Sequence, residues 1–274
     1  MGRRYIIIIL FLIILLAGEK TCFSRPADTT SFRLTTRYSF YTYEKKGELL
    51  LFIPQELIHN KLSVRIIINK DTTGLLAVIP LRNPLRIPFD LTLPPSYYPI
   101  KANITAGGKN TDYTAKTTLR ILTYKSNEVK TDHFTGGLIV NKRDFFPFGF
   151  YTYTPVHPTL PEEEAVKGFN MISPYQKILP SSFSGRKEYM DRCAQLGMKV
   201  HYNLLSVSGG GGVSSKIEGM SDKKKRELLV SEIQAFKDHP ALLAWYIADE
   251  PNGYKFEPDS LLTIYRLIKE LDPW

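Results

Sequence analysis

The sequence is poor in the residues that most often announce a chemistry. Two cysteines among 274 residues, Cys22 and Cys193, make neither a disulfide framework nor a thiolate metal site, so stability has to come from packing. The five histidines include no His-x-His pair and no His-Glu-x-x-His helix, which removes the usual zinc-hydrolase signatures. Gly209–Gly212 is followed by Val213-Ser214-Ser215-Lys216 and lacks the Gly-Lys-Ser/Thr order of a phosphate cradle. It reads as a rim loop. No repeat or low-complexity tract is present. No cofactor and no resident metal are expected.

Charge of one sign is not concentrated either. Lys and Arg exceed Asp and Glu by nine, but they are scattered along the chain. The one tight cluster, Lys223 to Arg226, opens a predicted amphipathic helix and reads as a solvated face. A nucleic-acid partner is therefore not expected.

What is present begins with a leader. Arg3 and Arg4 precede an almost unbroken apolar run from Tyr5 to Leu16, and Ala17 and Gly18 are small enough for cleavage. Residues 1–18 are read as a secretory signal peptide, which makes the mature protein secreted or extracytoplasmic. The run is short against the roughly 20 apolar residues of a membrane span, and an uncleaved signal anchor is the alternative. Glu19, Lys20 and Thr21 before Cys22 do not form a lipobox. Asn103-Ile104-Thr105 is a possible glycosylation site if the host is eukaryotic.

From residue 31 to 135 the grammar is that of strands. Tyr38 to Tyr43, Glu48 to Ile53, Leu62 to Ile68 and Leu75 to Leu81 are β-rich, and Tyr113 to Tyr124 alternates with Tyr113, Ala115, Thr117, Leu119 and Ile121 on one side. Asp71-Thr-Thr-Gly74 and Ala106-Gly107-Gly108 punctuate them, and prolines 80, 84, 88, 94, 95 and 99 suit edges and crossovers. An immunoglobulin-like β-sandwich is expected.

From residue 138 to 274 strands alternate with helices. Strands are expected at Phe145–Tyr151, Asn170–Ser173, Met198–Leu204 and Leu242–Ala248. Helices are expected near Glu162–Lys167, Arg186–Leu196, Asp222–Lys237 and Asp259–Leu271. Gly197 stands where a helix needs a left-handed stop. Apolar strands between amphipathic helices mean a parallel sheet covered by helices, here four βα units. A complete (β/α)8 barrel takes about 250 residues, so these residues supply about half of an incomplete TIM barrel. The chain is accordingly expected to be a fragment of a longer product, or a half barrel completed by a partner chain. A doubly wound four-stranded sheet is the structural alternative.

The sharpest chemical signal is His239-Pro-Ala-Leu-Leu-Ala-Trp245-Tyr-Ile-Ala-Asp249-Glu250-Pro251. A buried strand delivers two carboxylates at its C-terminal end, where barrel enzymes place their chemistry. A carboxyl group walled there by aromatic side chains can serve as general acid. On residues alone, Asp249-Glu250-Pro251 can equally be an acidic turn that starts a helix. Tyr151, Tyr153 and His157 follow the first strand, and His201, Tyr202 and Asn203 lie at the third, so they are placed to line the mouth. Trp245 is either core or the floor of a sugar subsite.

Gly137–Tyr151 and His239–Pro251 resemble the first and fourth strands of retaining (β/α)8 glycoside hydrolases related to family 2, the β-galactosidase-like clan. The resemblance covers the second half of the chain and is strongest around Glu250. It implies a carbohydrate substrate and Glu250 as the acid/base. It also implies that Asp249 contacts the sugar, with Tyr151, His201, Asn203 and Trp245 as further substrate-binding candidates. The sequence departs from the clan in having Asp249 where Asn is usual. Retaining hydrolysis needs a second carboxylate about 5–5.5 Å from the first. In the clan it comes from a seventh strand that these residues do not contain, so hydrolysis is expected only of a full-length form. The rival expectations are a secreted carbohydrate-binding or adhesion protein with a vestigial half barrel, and a metal-dependent hydrolase. The oligomeric state is not legible.

Overall fold

The structure is a computed structural model. It describes residues 31–69, 71–78, 80–107, 112–152, 159–212, 215–252 and 257–274, with backbone only at 72–78 and 112. The leader, Cys22, Tyr153 and His157 lie outside the described residues. Two compact units are interleaved along the chain. One takes Leu50–Ile87 and Ile100–Thr117 together with residues 31–34; the other takes Thr35–Leu49, Pro88–Pro99 and Thr118–Trp274.

The first half of the chain is made of strands. These are β1 (Arg33–Thr36), β2 (Lys46–Phe52), β3 (Leu62–Ile68), β4 (Asp71–Val78), β5 (Leu85–Asp90), β6 (Ser96–Ala106) and β7 (Asp112–Ile121). They form a sheet of order β1-β2-β5 and another of order β4-β3-β6-β7. β3 pairs antiparallel with β6 from Leu62 opposite Ala106 to Ile68 opposite Ile100. Alternation explains which side is core: Leu62, Val64, Ile66 and Ile68 are buried, as are Tyr98, Ile100, Ala102, Ile104 and Ala106. Predicted β3 matches residue for residue. Tyr38 to Tyr43 differs from expectation, making only isolated bridges from Tyr38 to Asp132 and from Tyr41 to Ile121. Both partners lie far along the chain, so no local ladder builds up there.

Next comes a small antiparallel sheet, β10-β9-β8, built from β8 (Val129–Thr131), β9 (Leu138–Val140) and β10 (Arg143–Phe145). Val140 faces Arg143 across a two-residue turn in which Asn141 and Lys142 both have positive φ, 51° and 64°. That is the backbone a tight hairpin requires. The expected strand Phe145–Tyr151 is therefore divided: its first residue closes this hairpin, and the parallel sheet starts only at Gly149.

The parallel sheet has the order β11-β12-β13-β14, from β11 (Gly149–Thr152), β12 (Met171–Pro174), β13 (Lys199–Asn203) and β14 (Leu242–Tyr246). The crossovers carry α1 (Leu160–Val166), α2 (Phe183–Gln195), a short α3 (Leu205–Ser208) and α4 (Asp222–Phe236), and α5 (Pro258–Leu271) follows β14. Neighbours in sequence are neighbours in the sheet. A doubly wound sheet reverses its order at a switch point, and this one does not. Gly197 ends α2 at φ +70°, the left-handed stop expected of it.

One face of the sheet packs on the helices. Ile172, Val200, Tyr202 and Leu242 join Tyr189, Met190 and Cys193 of α2, Leu229, Ile233 and Phe236 of α4, and Ile268 of α5 in a single buried cluster. Inside it, Glu232 takes two hydrogen bonds from the Arg186 guanidinium and a further one from the Tyr202 hydroxyl. The Lys223–Arg226 cluster is solvated, with Lys224 and Lys225 paired to Glu227 and Asp222 on the same helix.

Candidate functional site

The other face of the parallel sheet is built differently. Side chains alternate along a strand, and parallel register puts equivalent residues side by side. Tyr151 lies opposite Ser173, Asn203 opposite Tyr246 and Tyr202 opposite Trp245. His201 and Asn203 thus share the face of Tyr246, whereas Tyr202 and Trp245 turn to the helices.

Four rings gather on that face. Tyr151 lies 5.5 Å from Tyr175, 5.7 Å from Tyr246 and 6.5 Å from His201, between ring centres. His201 and Tyr246 are 4.6 Å apart at an interplanar angle of 33°. Ser173 Oγ is 3.3 Å from His201 Nδ1. Burial pulls the His201 imidazole down to about 4, so it is neutral near pH 7. Tyr151 remains half exposed and offers an accessible ring.

Asp249 closes the cluster. Its Oδ1 accepts from the Tyr246 hydroxyl at 2.6 Å and its Oδ2 from the Tyr175 hydroxyl at 2.9 Å. Burial, and then the Asp249 carboxylate, drive the titration of the Tyr246 phenol upward. Tyr175 is raised as well, by burial first. Neither Asp249 nor Glu250 has an ion-pair partner among the described residues.

The backbone that carries Asp249 is fixed from the neighbouring loop. Asp249 N donates to Gly210 O at 2.9 Å, and Gly210 bridges to Ala248. A Cβ on Gly210 would fall on the carbonyl oxygen of Ile247. Only glycine permits that approach. Part of the Gly209–Gly212 run is thus a close-packing device.

Glu250 sits apart from this clamp. It is exposed and adopts φ +41°, an unusual backbone for a residue with a side chain. The aromatic wall expected around the acid surrounds Asp249 instead. Asn203 is 1% exposed; its Oδ1 accepts from Leu205 N at 3.0 Å, and its Nδ2 has no hydrogen-bond partner. Trp245 donates from Nε1 to Asp272 Oδ2 at 2.8 Å and meets the Tyr202 ring edge-on, on the helix side. Of the expected residues, the structure brings together Tyr151, His201 and Asp249, sets Asn203 beside them and turns Trp245 away. Tyr175 and Tyr246 are functional candidates that the sequence reading passed over. Tyr246 was available from alternation, two residues past Ala244 on the face of His201. Tyr175 follows β12 in a loop and has no periodic signal.

Among the described residues there is no group of His, Cys, Asp and Glu that could hold a metal ion, and no helix long and apolar enough to cross a membrane.

No family model matches the sequence, and no curated protein matches it. Among solved structures the chain is similar to the β-glucuronidase of Parabacteroides merdae, with 13% identity over 89% of this chain and 33% of that one, at a TM-score of 0.34. A β-glucuronidase of an uncultured Clostridium species gives 18% identity over 89% and 41%, at 0.36. A family 123 glycoside hydrolase from Clostridium perfringens gives 9% identity over 86% and 61%, at 0.25. The chain spans about a third of the first of these proteins. Such TM-scores do not establish a shared fold, and the site has to be read from its own residues.

Proposed function

We propose that this protein is glycoside-hydrolase-like and takes a carbohydrate on the C-terminal rim of its parallel sheet. The observation that carries the reading is the joint hold of Tyr175 and Tyr246 on Asp249, with the half-exposed ring of Tyr151 against both phenols. Sugars present apolar C–H faces and rings of hydroxyls. A floor of aromatic rings with fixed polar groups between them matches both features.

The two carboxylates divide the work. Asp249 has both oxygens engaged by phenols and serves as a positioned acceptor. Glu250, exposed and without a side-chain hydrogen bond among the described residues, is the group free to exchange a proton as acid/base. The sequential order of β11 to β14 supports reading them as the first half of a (β/α)8 barrel. The strands of the first half of the chain support an immunoglobulin-like sandwich, and the leader supports export.

The test is turnover of aryl glycosides spanning good and poor leaving groups, by this chain and by any longer product of its locus. Glu250→Gln in an active form should slow poor leaving groups at least tenfold more than activated ones. Equal losses on both would sink the acid assignment. Glycan binding without turnover in every form would replace hydrolysis with the carbohydrate-binding reading.

A further inference from the structure

The same face carries a charge pattern that narrows its ligand, and this step rests on the glycan reading above. Asp249 is a carboxylate whose described partners are two phenol hydroxyls, at 2.6 and 2.9 Å. No lysine or arginine among the described residues pairs with it. The two phenols that hold it lie against each other, against the ring of Tyr151 and, at Tyr246, against the neutral imidazole of His201. Glu250, the next residue, adds a second carboxylate that has no ion-pair partner among the described residues.

A carboxylate held at the hydroxyl ends of two phenols, with the ring of Tyr151 beside those phenols, favours a positive partner. Ring faces attract cations, by about 0.5–2 kcal/mol for each close contact, and an acceptor-only carboxylate takes the N–H donors. A uronate would bring its own carboxylate against both acids, and among the described residues no lysine or arginine pairs with either. Asn203 supplies the complementary hydrogen-bonding half: its buried Nδ2 donors are unpartnered, beside Tyr246 in the register, and suit a hydroxyl oxygen of the ligand.

We infer that the rim selects a sugar bearing a free ammonium group, a 2-amino-2-deoxyhexose unit, with the ammonium on Asp249 and the ring's C–H face on Tyr151. Net charge works against this preference, since the full sequence carries +9.

The experiment is calorimetric titration of the full chain with four oligosaccharides of equal length: glucosamine, N-acetylglucosamine, glucose and a uronic acid. The glucosamine oligomer should bind at least tenfold more tightly than the glucose oligomer, and the uronate most weakly. Asp249→Asn, nearly isosteric, should erase the preference while the glucose oligomer still binds. Tyr246→Phe should reduce it several-fold. Equal affinity for all four, or a preference for the uronate, overturns the inference and leaves the glycan reading intact. Binding of none of them removes both. An undiminished preference in Asp249→Asn also overturns the assignment.

Discussion

The Tyr246 hydroxyl donates to Asp249 Oδ1 at 2.6 Å from three residues earlier in the chain, so one strand end supplies both the clamp and the group it holds. Tyr246→Phe removes the donor and keeps the ring. A net loss of about 1.5–3 kcal/mol in folding stability is expected for one such bond to a charged group. Ligand affinity should fall more than stability. Parallel urea titrations and binding isotherms check the difference.

Glu250 holds a left-handed φ at a cost of about 1–2 kcal/mol for a residue with a Cβ. Glu250→Gly is therefore expected to stabilise the chain by about 1 kcal/mol, seen as a higher urea midpoint. In any active form the same change should slow poor leaving groups at least tenfold more than activated ones, as expected of Glu250→Gln. Stability gained where activity is lost is the mark of a position kept for function. A lower midpoint would contradict the account.

His201 gives the site a pH dependence with a definite sign. Its folded value is about 4 against an ordinary value of 6.5, so the unfolded chain binds more protons between them. Its contribution is fully present above about pH 6.5 and is lost as pH falls toward 4. Comparing urea midpoints at pH 7 and 5 for the wild type and His201→Gln measures it. The variant should show the smaller drop.

Glu232 is buried with Arg186 and Tyr202 as partners in the helix-facing core. Glu232→Ala would leave the guanidinium buried without its counter-charge. A cost of about 3–5 kcal/mol is expected. Replacing Arg186 and Glu232 together by Met and Leu should recover much of it, and a double-mutant cycle on unfolding free energies shows whether it does.

These expectations separate what was legible in the sequence from what was not. β3 and the helix stop at Gly197 were readable because alternation and a left-handed glycine are local signals. β6 was hidden by Pro99, which reads as a breaker. In the fold, pairing with β3 starts at Ile100, and Pro99 stands just beyond it. The division at Gly149 was hidden because five of the seven residues from Phe145 to Tyr151 are aromatic and read as one strand despite Pro147, while the pairing of Phe145 is settled by the Asn141-Lys142 turn. At the site, the two carboxylates were visible as a motif. Their environments were exchanged relative to expectation, because the phenol of Tyr175 arrives from a loop and the backbone turns at Glu250.

Cys193 lies at 0% exposure in the cluster between sheet and helices, and burial pushes its thiol up to about 12. In the folded chain it is shielded from thiol reagents and almost wholly uncharged. With Cys22 replaced by serine, alkylation of this one sulfur becomes a clock for the α/β core. Its rate counts how often α2 lifts from β13, without denaturant and without a ligand in hand.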